Sequence, residues 1–313
     1  MMFLRRHRWL QGAILIGPAA VWAFAFIVVP TLMAIRMSFW RMENFQLVRE
    51  WSTDNYKLLL ESEIYRDGLI RSLENGFVAA VAAVALSLPL AHFIRFHVHR
   101  HRSLFVGAVV VALWLGYLLR IVGWRILLGR EGVLNGLLTG VGILDQPTKV
   151  LVFNPFAVIL VQVHLAMSFT FIPIFVVMQR VPHRLMQAAS DLGARRWRQI
   201  MEVEAPLIAP GVAIGFTFAF VLSFGDYFAP TLVGDPGSIG IANLASSQFQ
   251  QGLAWPLGAA LGVVMIVAVL AALALPSLVF RVYKWIIRIR VRRGEHGTPV
   301  APAGSVGEEV AAP

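Results

Sequence analysis

The sequence predicts an all-α integral membrane protein with six transmembrane helices. Hydrophobic residues make up 58% of the 313 residues, and only 14% are charged. The mean hydropathy of +0.71 places the chain in the membrane class and outside the range of soluble domains. Long apolar stretches occur at six places along the chain, and a helix needs about 20 apolar residues to cross a bilayer.

The apolar stretches give the order and the limits of the predicted spans. The stretch after Ser103 is short, so its helix is expected to continue past Arg120, whose long side chain can reach the interface. The first stretch follows three arginines, as in a signal peptide. It is too long for one and lacks a clear cleavage site, so a retained first helix is predicted. The spans are predicted at about residues 9–35, 75–94, 103–125, 152–179, 205–229 and 257–280.

One transmembrane domain is predicted between two terminal segments. Residues 1–8 form a basic N-terminus, and residues 9–293 form the domain. Residues 294–313 are rich in Gly, Pro and Ala with little to bury, so they are expected to be disordered.

The distribution of Lys and Arg predicts that both termini are cytoplasmic. With this orientation most of these residues lie inside, and the outer segment from Asp226 to Pro256 has none, as the positive-inside rule requires. The net charge of +10 is then explained by the inner segments and by anionic lipid headgroups. The charge is scattered over separate segments, so nucleic-acid binding is not expected.

A polar, basic segment interrupts the apolar sequence between Pro182 and Pro206. It is predicted to form two short helices, His183 to Leu192 and Ala194 to Glu204, joined at Gly193 in a left-handed conformation. Pro182 suits a first helical turn, and Pro206 is expected to end the second helix because it lacks an N–H. Five arginines lie in or next to this segment: Arg180, Arg184, Arg195, Arg196 and Arg198.

This segment resembles the EAA loop of type I ABC importer permeases. The order Gln187-Ala188-Ala189, three residues, Gly193, nine residues and Val203-Glu204-Ala205-Pro206 keeps the spacing of that loop. It departs from the family pattern by Gln for Glu, Val for Ile and Ala for Leu. The resemblance implies a cytoplasmic coupling segment (residues 182–206) between spans four and five that docks on an ATP-hydrolysing subunit. The residues it implies for coupling are Gln187, Ala188, Ala189, Ser190, Asp191, Leu192, Gly193, Ala194, Arg195, Trp197 and Pro206.

Two outer segments are similar to the B-type permeases of spermidine/putrescine importers, within the same family. They begin at Arg120 and at Gly225, and the first has the pattern Arg-x-x-x-Trp-x-x-Leu-Leu-Gly-x-x-Gly-x-x-Asn. The resemblance implies a bacterial inner-membrane permease for a small, cationic, polyamine-like solute. Its implied partners are a periplasmic solute-binding protein, two ATPase subunits and a second permease subunit in a heterodimer. The candidate pathway or gate residues are Arg120, Trp124, Asn135, Asp226, Tyr227 and Asn243.

Simpler interpretations of these residues remain open. Asp226 is either a pathway residue or an ordinary helix boundary, since an ionised carboxylate costs about 2.5–3.5 kcal/mol at the bilayer centre and less near its edge. Arg120 is either part of an ion-pair or docking group or a solvated loop charge. Asn243 belongs either to an outer gate or to a hydrated loop. The pairs Gly211/Gly215 and Gly258/Gly262 are expected to let helices pack closely within this chain.

The sequence carries no recognised catalytic or nucleotide-binding motif. None of its three lysines belongs to a GxxxxGK[ST] loop, and HExxH and GxSxG are absent. No catalytic residue, metal ligand or cofactor is therefore expected in this chain, and ATP and Mg²⁺ are expected on the partner ATPase. The alternative is an autonomous secondary transporter or channel. That class is expected to show intramembrane ion-coupling carboxylates and an inverted repeat, and neither is evident here.

Overall fold

The computed structural model describes residues 8–44, 46–98, 100–143, 145–148, 151–250 and 252–274. Within them, five helices are long and apolar enough to cross a membrane, or six if one bent pair counts as a span. The predicted tail and the end of the last predicted span lie outside the described residues. The helices in chain order are α1 (Arg8–Ala23), α2 (Val29–Met37), α3 (Asp54–Glu61), α4 (Glu63–Phe96), α5 (Arg102–Trp114), α6 (Tyr117–Leu128), α7 (Val133–Gly140), α8 (Pro155–Met178), α9 (His183–Asp191), α10 (Arg196–Arg198), α11 (Ala205–Phe224), α12 (Phe228–Val233), α13 (Ile241–Gln250) and α14 (Trp255–Ala274).

Three helices, α4, α8 and α11, form the centre of the fold. Small residues allow their backbones to approach closely: a Cβ added to Gly76 of α4 would lie 3.1 Å from the Cβ of Phe224. Gly211 and Gly215 of α11 pack against α8, where added Cβ atoms would lie 2.8 Å from Pro173 O and 3.0 Å from Thr170 O. The close packing of this glycine pair within the chain agrees with the prediction.

The first span is a continuous helix in which a π-helical turn, Phe24–Val28, joins α1 to α2. None of its apolar window from Ile16 to Met37 is buried against the rest of the described chain. A short antiparallel hairpin follows, in which β1 (Arg41–Glu43) pairs with β2 (Gln46–Val48) and Arg41 lies opposite Val48. The first span is therefore free to contact lipid or another subunit around its whole circumference.

The second span is longer than its apolar stretch. α4 has 34 residues, about 51 Å at 1.5 Å per residue, because a polar turn at its start extends the helix beyond the apolar residues. At this end, Ser72 Oγ accepts a hydrogen bond from Ile241 N at 2.8 Å, and the Arg71 guanidinium donates to Gly237 O. The other end of α4 lies beside the coupling segment.

The third predicted span is broken, and the expectation of one helix running past Arg120 is wrong. Leu115 and Gly116 have extended backbones, with ψ of 126° and 136°. The helical segments on either side, Arg102–Trp114 and Tyr117–Gly140, meet at 95°. Because extended residues cannot continue the helical hydrogen-bond series, the chain turns here.

The fifth span differs from its prediction at both ends. The helix is continuous from Arg196 to Phe224, so Pro206 does not end a helix as expected. A π-helical turn, Gln199–Glu204, precedes this proline, and Ala205 N donates five residues back to Ile200 O. The missing N–H of Pro206 therefore coincides with a change of hydrogen-bond pattern. At the other end α11 stops at Phe224, five residues before the predicted limit.

Candidate functional sites

The coupling segment forms an exposed helix and a tight turn. α9 ends at Asp191, and Gly193 has φ of +77°, which confirms the predicted left-handed conformation. Gly193 N donates to Ser190 O at 2.8 Å, and Ala194 N donates to Ala189 O at 2.9 Å. These bonds satisfy carbonyls at the end of α9. Glycine suits this position because it adopts positive φ without a steric penalty.

Most of the predicted coupling residues are accessible. Leu192 and Trp197 are 88% and 68% exposed, although both side chains are largely apolar. Exposed apolar side chains on a polar segment are typical of a surface that another protein covers. The exposed residues of the set are Gln187, Ala188, Ser190, Asp191, Leu192, Gly193, Arg195 and Trp197, and the half-buried ones are Ala189, Ala194 and Pro206.

Asp226 is buried and hydrogen-bonded at the end of α11. Its Oδ1 accepts from Phe228 N at 2.9 Å and from Ala229 N at 3.2 Å, and its Oδ2 accepts from Gln162 Nε2 at 3.2 Å. These bonds offer the backbone an alternative to further helix, which explains why α11 stops and α12 starts in a new direction. The side chain is only 6% exposed, so it is not a hydrated residue at a membrane edge.

Arg120 and Trp124 lie on α6 but have different surroundings. Arg120 is 9% exposed, and its Nε and Nη1 atoms have no hydrogen-bond partner among the described residues. Trp124 Nε1 donates to His164 Nδ1 of α8 at 2.9 Å. Arg120 is therefore not a solvated loop charge, and Trp124 ties the bent third span to α8.

Asn135 has a structural position rather than a place in a pathway. It is fully buried, and its Nδ2 donates to Gly129 O and to Thr148 O, both at 2.9 Å. Its Oδ1 accepts from Thr148 N at 3.0 Å. The side-chain amide thus joins the two ends of the loop that contains α7.

Tyr227 and Asn243, which lie 16 residues apart, line the same cavity of about 350 Å³. Asn243 Nδ2 donates to Tyr227 O at 2.9 Å and to Thr231 Oγ1 at 2.8 Å. Asp235, which sequence reasoning did not single out, brings a carboxylate to this cavity, and Ser238 Oγ donates to its Oδ1. The turn sequence Asp235-Pro236-Gly237 could have indicated an exposed acidic loop beside the predicted gate.

No group of three or more metal-ligating side chains occurs among the described residues. His97 and His101 are within the described part, and His99 lies outside it. The arrangement provides an accessible coupling surface at one end of α4 and a polar cavity with a carboxylate at the other.

Comparisons with known proteins agree with this architecture. Residues 21–292 match the sequence model of a family described as "Binding-protein-dependent transport system inner membrane component". The spermidine/putrescine transport system permease protein PotB of Escherichia coli K12 is 30% identical over 245 residues, which cover 78% of this chain and 88% of PotB. The inner membrane ABC transporter permease protein YdcU of the same organism is 28% identical over 275 residues, covering 83% of this chain and 87% of YdcU.

The fold is also found in a solved structure. A chain of a bacterial ABC transporter involved in the import of the acidic polysaccharide alginate aligns with a TM-score of 0.72 at 18% identity. The alignment covers 90% of this chain and 97% of that one. At this identity the likeness concerns the fold alone.

Proposed function

Because this chain belongs to the family of binding-protein-dependent transport system inner membrane components, and is therefore a multi-pass permease subunit of an ABC importer, we propose that its coupling segment docks on an ATPase subunit. The observation that carries this proposal is the exposed surface of α9 and its turn, where Leu192 and Trp197 are uncovered. A partner that covers them gains hydrophobic contact. ATP and Mg²⁺ belong to that partner, which drives the helices between inward-facing and outward-facing arrangements.

The same membership supports our proposal for the remaining parts of the assembly. A second permease subunit completes the pathway as a heterodimer, and a periplasmic protein delivers the solute. Both termini are cytoplasmic, which brings the coupling segment to the side where ATP is available. The 350 Å³ cavity at the opposite end of α4 then faces the periplasm.

The solute is a small cation of the polyamine type. Two observations support this choice: the similarity to PotB, a spermidine/putrescine permease, and the carboxylate of Asp235 in the outer cavity. A fixed negative charge raises the local concentration of a cation and disfavours an anion. Asp235→Asn is therefore expected to lower the uptake of spermidine or putrescine by about tenfold. Tyr227 and Asn243 shape the same cavity.

The test of docking is to tag the chain, extract it gently from native membranes and identify the co-purifying proteins by mass spectrometry. We expect a nucleotide-binding ATPase and a second multi-span subunit. Ala189→Arg should remove the ATPase, because the half-buried Ala189 gives the partner room to approach α9. His101→Arg, an exposed change at the same end of the molecule, should leave the ATPase bound. Recovery of the chain alone in several mild detergents would contradict the proposal and favour an autonomous transporter.

The test of the solute uses the purified complex in proteoliposomes with its binding protein. ATP-dependent uptake of labelled spermidine or putrescine, unaffected by an excess of neutral sugar, is the expected outcome. Uptake of only neutral or acidic solutes would refute the choice of cargo without affecting the coupling proposal.

A further inference from the structure

The last turns of α4 contact both ends of the coupling segment. At the start of the segment, Arg95 Nη2 donates to Val181 O at 3.4 Å, and the Phe96 ring lies edge-on to His183 with centroids 5.2 Å apart. At its end, His92 Nδ1 lies 2.9 Å from Glu204 Oε1. The C-terminal end of α4 is thus in contact with both ends of the segment.

The contact between His92 and Glu204 places a buried carboxyl group beside a half-buried imidazole. Glu204 is 2% exposed, although it lies within six residues of the exposed Arg198. Its Oε2 atom has no hydrogen-bond partner among the described residues, so His92 supplies the side-chain contact of this carboxylate. Removing one member of a buried pair leaves an uncompensated polar group, which makes such a contact costly to break.

An open cavity lies on one side of the pair. A cavity of about 320 Å³ lies between α4 and α9 and is lined by His92, His97, Gln187, Ser190 and Arg196, among others. Apolar packing therefore does not fill the space between the two helices. Apolar packing joins α4 to the chain just outside the segment, where Ala91 and Ile94 belong to one buried cluster with Val181 and Ile208. Within the segment itself, Glu204 is the most buried residue that α4 contacts, through His92.

The chain connectivity shows why α4 needs such a contact. Of the three central helices, α8 leads directly into the coupling segment and α11 continues directly from it. α4 has no covalent connection to the segment, so a displacement of the segment reaches α4 only through side chains.

We propose that His92 and Glu204 are positioning residues that fasten α4 to the coupling segment, so that all three central helices move with it. This inference rests on the proposed function of the segment as the ATPase docking site. Without the His92–Glu204 contact, the inner end of α4 is held by the apolar cluster alone and follows the segment less closely than α8 and α11 do. The importer then hydrolyses ATP without a matching amount of transport.

The first test measures solute imported per ATP hydrolysed by the purified complex in proteoliposomes. His92→Ala and Glu204→Ala should each lower this ratio at least about fivefold, the lower end of typical coupling energies between sites. The double variant should be no worse than either single one, because both remove the same contact. His92→Asn should keep the ratio of the unchanged protein, since the asparagine Nδ2 can donate from a position near that of the histidine Nδ1. His97→Ala, which changes a histidine of the same cavity that is not bonded to Glu204, should leave the ratio unchanged.

The second test measures distance directly. The chain has no cysteine, so spin labels at the exposed positions Arg100→Cys and Arg180→Cys report the separation between the end of α4 and the start of the coupling segment. In the otherwise unchanged complex this distance should be the same without nucleotide and with trapped ATP. With His92→Ala it should differ between the two states.

Two results would overturn the inference: a normal transport ratio in a stable His92→Ala complex, or a label distance that already changes between states when His92 is present. Both are measured on complexes that retain their ATPase. Failure of the docking proposal is seen separately, as an ATPase that stays bound to the Ala189→Arg variant or never co-purifies.

Discussion

Gly193 shows how a single residue is constrained by its backbone alone. Its φ is +77°, and no atom lies within 4 Å of the position that a Cβ would occupy. The constraint is therefore conformational and not steric crowding by neighbours. Asparagine adopts the left-handed region far more readily than a β-branched residue does.

Gly193→Val is expected to abolish ATP-dependent uptake while the protein remains in the membrane. The left-handed conformation costs an L-residue roughly 1–2 kcal/mol, and more for valine, so the turn after α9 should change its direction. Gly193→Asn is the matched control and should keep most of the uptake. Uptake assays on membranes with equal amounts of each variant provide the measurement. Normal uptake with valine would remove this turn from the coupling mechanism.

Asp226 gives a second prediction at this scale, because two substitutions distinguish its charge from its hydrogen bonds. Asp226→Asn keeps an oxygen for the N–H groups of Phe228 and Ala229. Its new amide takes the place of Oδ2, which accepts from Gln162 Nε2. The Gln162 amide must therefore turn over to present Oε1, and it gives up its bond to Ser223 O. Asp226→Ala leaves both N–H groups without this acceptor and should lower the free energy of unfolding by about 2 kcal/mol.

Thermal unfolding in detergent and uptake in proteoliposomes distinguish the two roles of Asp226. We expect the asparagine variant to transport as well as the unchanged protein, and to unfold at a temperature between those of the unchanged protein and the alanine variant. An asparagine variant of normal stability that no longer transports would instead show that the carboxylate charge acts in the pathway.

These residues also show what the sequence could predict. The Gly193 turn was predictable because its causes are local: a helix pattern, a glycine and the residues next to it. The surroundings of Asp226 and Asn135 were not, because Gln162 is 64 residues from Asp226 and Thr148 is 13 residues from Asn135. A motif can indicate that such a residue matters, but only the folded chain shows whether its polar atoms face a pathway or a loop.

At the scale of elements, the number of apolar stretches was predictable and their continuity was not. The sequence around Pro206 predicted a helix end, yet a π-helical turn carries the helix past this proline. The sequence around Gly116 predicted a continuous helix, yet the chain bends there by 95°. The preference of one residue is a weak predictor of helix continuity, because the folded chain as a whole can override it.

Gly211 and Gly262, one from each predicted glycine pair, should respond to alanine with opposite sign. Gly211→Ala inserts a Cβ 2.8 Å from Pro173 O, whereas a Cβ at Gly262 meets no neighbouring atom of the described residues within 4 Å. We expect the first change to destabilise the chain by about 1–3 kcal/mol through overpacking. The second should stabilise it by about 0.5–1 kcal/mol, because alanine favours a helix. Thermal unfolding of the purified chain measures both, and equal shifts would contradict the packing of α11 on α8.

At the scale of the whole molecule, the connecting segments fall into two groups at opposite ends of α4. Ser72 and Arg71 contact the segment around α13, and His92 and Phe96 contact the segment around α9. This grouping agrees with the alternation of basic and non-basic segments in the sequence. Which group is cytoplasmic stays a prediction from the positive-inside rule.

Single cysteines can test this orientation, because the chain has none of its own. Glu61→Cys and Gln250→Cys should react with a membrane-impermeant maleimide applied to cells with a permeable outer membrane. Arg100→Cys and Asp191→Cys should react only after the inner membrane is opened. All four positions are exposed, so burial within the chain does not account for protection. The reverse pattern would invert the whole assignment.

The length of α4 has a mechanical consequence. Gly76 holds the helix against Phe224, while Gly68 lies against Leu244 and His92 against Glu204. If Gly76 acts as a fulcrum, the lever arms are about 24 Å to His92 and about 12 Å to Gly68, from the helical rise per residue. A tilt of the rod then moves its outer end half as far as its inner end, with twice the force. A large displacement at the ATPase end would therefore become a smaller displacement, with a larger force, at the end near the solute.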